Sequence, residues 1–208
     1  MVRREIKEIS RSTRTRNIKP NIYVSCEGET EEAYLKGLKR EYIKVATIKI
    51  SNSKKTAAKD VVKNLKKQFK SEYQKEDLKY CIFDCDENSD NALKDAQELA
   101  QKEGATIIFS NPCFEVWLLW HFENDLSYQH SREALKRRIE DLIKPNYWKF
   151  KEQPNLYDLV KDNLTTAQMN YSQRKNELNQ DSIDEYSRAS NPYSNFDILI
   201  ADLINLNK

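Results

Sequence analysis

Four short apolar runs set the fold of this chain. Ile22–Cys26, Tyr42–Ile50, Leu78–Phe83 and Ala105–Ser110 have the length and the apolar or alternating character of strands. The segments between them have helical spacing. Thr30–Arg40 is a helix with acids in its first turn. Lys55–Tyr73 places Ala58, Val61, Val62, Leu65 and Phe69 on one face, and Asn91–Glu103 ends at Gly104, where a left-handed C-terminal cap belongs. Asn111-Pro112 is expected to open a further helix, with asparagine as N-cap and proline in its first turn. Strand–helix alternation of this kind implies a parallel-rich sheet covered by helices.

No strand is expected beyond Glu123. Arg132–Ile143, Asn155–Tyr171 and Asn195–Leu206 have helical patterns, joined by polar links. The chain therefore divides into a basic arm over 1–19, an α/β core over 20–122 and a helical C-terminal part over 123–208 packed on that core. With 33% charged residues and 3 glycines, a helix-rich globular protein fits the composition. No apolar run approaches the ~18 residues of a membrane helix, and the N-terminus has no secretory h-region. A cytoplasmic protein with four reduced cysteines is expected.

The carboxyl ends of parallel strands form one edge of a sheet, and ligands bind there. Acids stand at three such ends. The first run leads into Glu27-Gly28-Glu29, the third into Asp84-Cys85-Asp86, and the fourth into a helix carrying Glu115. In extended chain Asp84 and Asp86 point the same way, Gly28 permits a tight turn, and Glu31 can share a face with Glu27. Clustered carboxylates repel unless cations intervene, and an all-oxygen donor set selects Mg²⁺ or Mn²⁺ over zinc. Such a site suits phosphodiester chemistry.

Each signal has a plainer explanation. Glu29 and Glu32 read as helix stabilisers in a first turn, and an Asp-x-Asp after a strand can be a turn. Cys26, Cys81, Cys85 and Cys113 lack Cys-x-x-Cys spacing and read as buried thiols. Trp117, Trp120, Phe122 and His121 read as core, His130 has no visible partner, and Lys136, Arg137 and Arg138 read as an exposed helix face. Lys54 and Lys55 follow the second strand at the acidic edge, where they bind substrate phosphate or solvate a loop. Residues 1–19 hold seven bases, Arg14 and Arg16 among them, against two acids. This arm is either a polyanion-binding segment or a solvated terminus.

"EGETEEAYL" with "FDCDEN" resembles the Toprim catalytic core of primases, topoisomerases and OLD-type nucleases. "SNPCFEVWLLWHF" and "NPYSNFDILIADL" are similar to segments of the RloB family, Toprim-like proteins linked to restriction and phage-defence loci. The resemblance covers nearly all the chain after about residue 18. It implies a Toprim-like α/β core and a metal-dependent nuclease of DNA or RNA, tRNA included. Such a protein would act in anti-phage defence with an AAA/ABC-type ATPase partner, and homo-oligomers remain open. By the same resemblance Glu27 is the general acid or base, Asp84 and Asp86 hold Mg²⁺ or Mn²⁺, and Glu31 matches the second acid of the motif. Glu115 is a further carboxylate of the catalytic or metal set. No domain with a nucleophilic tyrosine is evident, so strand passage is not expected. The rival reading is a non-catalytic docking or sensing subunit.

Overall fold

The computed structural model describes residues 20–55, 57–85, 88–129, 131–143 and 156–208. The basic arm with Arg14 and Arg16, as well as Asp86 and His130, lies outside the described residues. The core runs β1 (Asn21–Cys26), α1 (Glu29–Glu41), β2 (Thr47–Asn52), α2 (Ala58–Phe69), β3 (Leu78–Asp84), α3 (Asp90–Glu103), β4 (Thr106–Asn111) and α4 (Glu115–Trp120). Beyond it come α5 (Arg132–Ile143), α6 (Leu156–Val160), α7 (Leu164–Gln180), β5 (Tyr193–Ser194) and α8 (Asp197–Leu206). The sheet order is β2-β1-β3-β4-β5. The first four strands are parallel and β5 is antiparallel to β4, an arrangement consistent with a Toprim-like core.

Near-continuous apolar runs in β1, β3 and β4 follow from covering both faces of a parallel sheet. On one face α2 buries Ala58, Val61, Val62 and Leu65, next to Leu93, Ala96 and Ala100 of α3. The Ser89 side chain caps α3 by accepting from the Ala92 N–H, and Gly104 ends it at φ 62°, its N–H donating to Ala100 and Gln101. The other face is built around Tyr34 of α1, whose ring meets Phe114, Tyr157 and Phe196 edge-on. Close approach of α6 to α1 requires Gly37, because a Cβ there would lie 2.3 Å from Tyr157 Cβ. Among the described residues no helix is long and apolar enough to cross a membrane.

Several expected boundaries move. The second strand begins at Thr47, because Tyr42 caps α1 and its carbonyl accepts from Val45 and Ala46 in a turn. Ile43, whose alternation with Val45 suggested strand, is 63% exposed. The helix expected over Lys55–Tyr73 starts at Ala58 and ends in a 3₁₀ turn, Lys70–Glu72. Where Asn155–Tyr171 was expected as one helix, α6, a 3₁₀ turn (Lys161–Asn163) and α7 follow in succession. Asn111 is no N-cap. It is the last residue of β4, and its Nδ2 donates to Ser187 O, Arg188 O and Ser190 Oγ. A strand does occur beyond Glu123: β5 is two residues long, too short to leave a period in the sequence. Asn195 prolongs its pairing, with Oδ1 accepting from Phe109 N–H at 2.6 Å and Nδ2 donating to Ile107 O at 3.2 Å.

Candidate active site

The strand order creates the crevice. From β1 the chain passes through α1 to β2 on one flank, then crosses back to β3 on the other flank of β1. The connections leaving β1 and β3 therefore diverge at their carboxyl ends, the topological switch point where open α/β sheets bind ligands. Glu27 follows β1 and Asp84 ends β3. The Asp84 N–H donates to Glu27 Oε2 at 3.2 Å across the crevice. Glu31 comes from the first turn of α1, and Glu115 is the first residue of α4. Glu27, Glu31, Asp84 and Glu115 are 8%, 4%, 3% and 4% exposed, so four acids are nearly withdrawn from water. They line a cleft of about 250 Å³ together with Arg132 and Lys136.

Gly28 serves this packing through its missing side chain. Its φ of −122° and ψ of 177° are extended, so the turn itself does not require glycine. A Cβ there, however, would stand 2.7 Å from Glu31 Oε2. Burial pushes the Glu31 carboxyl up to about 7, with Glu115 adding to the rise and the backbone N–H groups of Glu31 and Gly28, and Arg132, opposing it. Asp84 is raised well above the carboxylate range by burial first, then by Glu31 and Glu27, against the pull of Arg132. Groups that resist ionisation in the absence of a cation are what a clustered carboxylate site produces.

Arg132 was not foreseen. It opens α5, and its Nη2 donates to Asp84 Oδ2 at 2.5 Å. Asp84 Oδ1 is buried with no hydrogen-bond partner among the described residues. Lys136, one turn further on, also faces the cleft, which corrects its expected place on an exposed surface. Arg137 is exposed as expected, and Arg138 pairs with Glu123 and Asp125. The i,i+4 spacing of Arg132 and Lys136 is visible in the sequence, but only the docking of α5 against α4 says which way that face points.

Other candidates fall outside the cleft. Lys54 and Lys55 lie beyond the carboxyl end of β2, where the Lys54 N–H donates to Asn52 Oδ1 and Lys55 Nζ meets Asp60 at 3.3 Å. Glu32 pairs with Lys36 and accepts from Asn52, in keeping with a helix-surface role. The four cysteines are free and buried, and Trp117 and Trp120 are core. His121 is core as well. Its Nδ1 lies 2.8 Å from Trp117 O, so Nδ1 carries the proton, and burial pushes its pKa down to about 4. The second Asn-Pro segment is a clasp: Asn191 exchanges two hydrogen bonds with the Gln129 backbone, and Arg174 donates to the carbonyls of Ser190, Asn191 and Pro192.

Among the described residues no three histidine, cysteine or acidic side chains form a ready-made metal cage. The donors present are nevertheless oxygen only, and one buried Asp84 oxygen lacks a partner. Mg²⁺ binds through one or two carboxylates with water and substrate phosphates completing its shell, so this arrangement fits it.

No curated protein and no solved structure matches the chain. A family model described as RloB-like protein matches residues 22–203. With that match spanning most of its length, the chain belongs to the RloB-like family.

Proposed function

We propose that this protein is a Mg²⁺- or Mn²⁺-dependent nuclease that hydrolyses phosphodiesters of DNA or of RNA, tRNA being one candidate substrate. In this reading it is a cytoplasmic effector of anti-phage defence, partnered by an AAA/ABC-type ATPase. The observation that carries the chemistry is the convergence of Glu27, Glu31, Asp84 and Glu115 on one cleft at the switch point. Asp84 would hold the cation through Oδ1, with Glu31, Glu115 and Asp86 as the other candidate ligands. The bound cation supplies charge neutralisation at the phosphate oxygens. Glu27, fixed through Oε2 by the Asp84 N–H, takes the proton of the attacking water. As the new P–O bond forms, the ester P–O bond breaks and the leaving oxygen takes a proton from solvent water, Glu27 later returning its own proton to solvent. Lys54, Lys55, Arg14 and Arg16 are assigned to substrate backbone outside the cleft, where lysine and arginine displace phosphate counterions.

One observation favours the alternative of a non-catalytic docking subunit of an ATPase complex: Arg132 already neutralises Asp84 within the chain. The test is incubation of the pure protein, with and without the proposed ATPase partner, with labelled DNA and tRNA in Mg²⁺. Cleavage that chelation stops supports the nuclease. Intact substrate in every mixture, with a stable complex to the ATPase, supports the docking subunit.

A further inference from the structure

Arg132 and Lys136 are two cations in a cleft built for another. Among the described residues the buried carboxylates of Glu27, Glu31, Asp84 and Glu115 and the exposed acid Glu29 line the cleft against two bases, so its ionised form carries an excess of negative charge that a divalent cation offsets. The Arg132–Asp84 pair is uneven. The Asp84 side chain is 4% exposed and that of Arg132 is 31% exposed, and among the described residues one Asp84 oxygen is engaged. The guanidinium thus reaches Asp84 from the open side of the cleft.

What holds α5 in place lies elsewhere on the helix. Leu135 and Ile139 are buried, and Arg138 is tied to Glu123 and Asp125. Arg132 can change partner without α5 leaving its seat. Lys136 stands four residues on, about 6 Å along the axis on the same face. A guanidinium and an ammonium on one helix face lining one cleft can both reach a single phosphodiester, the guanidinium through its planar fork.

Resting on the nuclease reading above, we propose that Arg132 is an exchangeable counter-ion. It holds Asp84 while no divalent cation is present. When a cation takes Asp84, Arg132 turns to the substrate phosphodiester and binds it together with Lys136. The chain thereby offsets part of the acidic cluster in the empty site and presents its phosphate seat only as the cation arrives. Arg132 and Lys136 are substrate-binding residues in this account, with no proton to transfer.

The full chain tests this with Mn²⁺ alone, titrated by electron paramagnetic resonance. Arg132→Ala removes a positive charge competing for Asp84 and should tighten Mn²⁺ binding about tenfold. Arg132→Lys keeps the charge and should stay near the parent. A second arm measures polarisation of labelled single-stranded DNA and RNA of one sequence in Ca²⁺, across a salt series. Arg132→Ala and Lys136→Ala should each weaken binding and reduce the salt slope by about one. Weaker Mn²⁺ binding in Arg132→Ala would make the residue a structural prop, and unchanged salt slopes would remove the phosphate seat; either overturns the proposal. If the parent binds Mn²⁺ and Arg132→Ala binds it no tighter, this inference alone fails. If neither protein binds Mn²⁺, the metal-dependent nuclease fails first and takes the inference with it.

Discussion

The Asp84 N–H and Glu27 Oε2 lie 3.2 Å apart, a bond that joins the ends of β3 and β1 across the switch point. It aims the Glu27 carboxylate by backbone geometry. Glu27→Gln can keep that bond through its amide oxygen, while the proton acceptor of the proposed mechanism is lost. General acid–base catalysis contributes ~10²–10⁴-fold, so nuclease activity should fall by about that factor. Circular dichroism and co-purification with the proposed ATPase partner should match the parent. Full activity in Glu27→Gln, or loss of the ATPase with the fold intact, would remove Glu27 from its assigned role.

Gly28→Ala tests the site without touching a carboxylate. The added methyl would meet Glu31 Oε2, the far end of a flexible side chain, at 2.7 Å. Glu31 has to yield while the extended backbone at residue 28 accepts alanine. Little change in melting temperature is therefore expected, with a clear loss of Mn²⁺ affinity and cleavage. A large drop in melting temperature at unchanged Mn²⁺ affinity would show that Gly28 serves the fold alone.

The carboxylates also predict how stability depends on pH. Glu31 is raised from 4.5 to about 7 in the folded chain, chiefly by burial. Between those values the folded state binds more protons than the unfolded one, so stability falls as pH rises through this window. Asp84 is displaced in the same direction. His121 acts oppositely: lowered from 6.5 to about 4, it loses stability as pH falls through that window. In chelator, Glu31→Gln should unfold at higher urea than the parent at pH 7 by up to about 3 kcal/mol, with the gap closing toward pH 4.5. A gap that stays constant with pH would mean that Glu31 does not titrate in this window.

The sheet was legible because each buried strand is a compact apolar run, and the acids at the ends of β1 and β3 and after β4 follow from parallel direction alone. Glu27, Glu31, Asp84 and Glu115 line one cleft at that edge. Arg132 was not legible, because its partner is 48 residues away in sequence and no local pattern encodes the docking of α5. The Tyr42–Val45 turn imitated a strand through chance alternation. Asn111 looked like a helix cap because Asn-Pro serves that purpose locally, whereas here its amide is claimed by the 187–190 segment. β5 is held by an asparagine side chain as much as by its two residues, and no hydrophobic period records that.

Asn195 offers the sharpest separation of scaffold from site in the second Asn-Pro segment. Its amide satisfies the Phe109 N–H and the Ile107 carbonyl, and its own N–H donates to Phe109 O, so β4 keeps a partner beyond β5. Asn195→Ala leaves two buried backbone groups unpaired, each worth about 1–3 kcal/mol, so a loss of about 2–6 kcal/mol is expected in urea unfolding. Asn195→Asp keeps the acceptor for Phe109 but turns an oxygen toward the Ile107 carbonyl, and should destabilise comparably. Neither change reaches the cleft, whose carboxylates come from β1, α1, β3 and α4. Mn²⁺ affinity of the folded protein should therefore match the parent at low temperature, where the variants remain folded. An Asn195→Ala protein of parental stability with weakened Mn²⁺ binding would place this segment in the site and overturn its reading as a clasp.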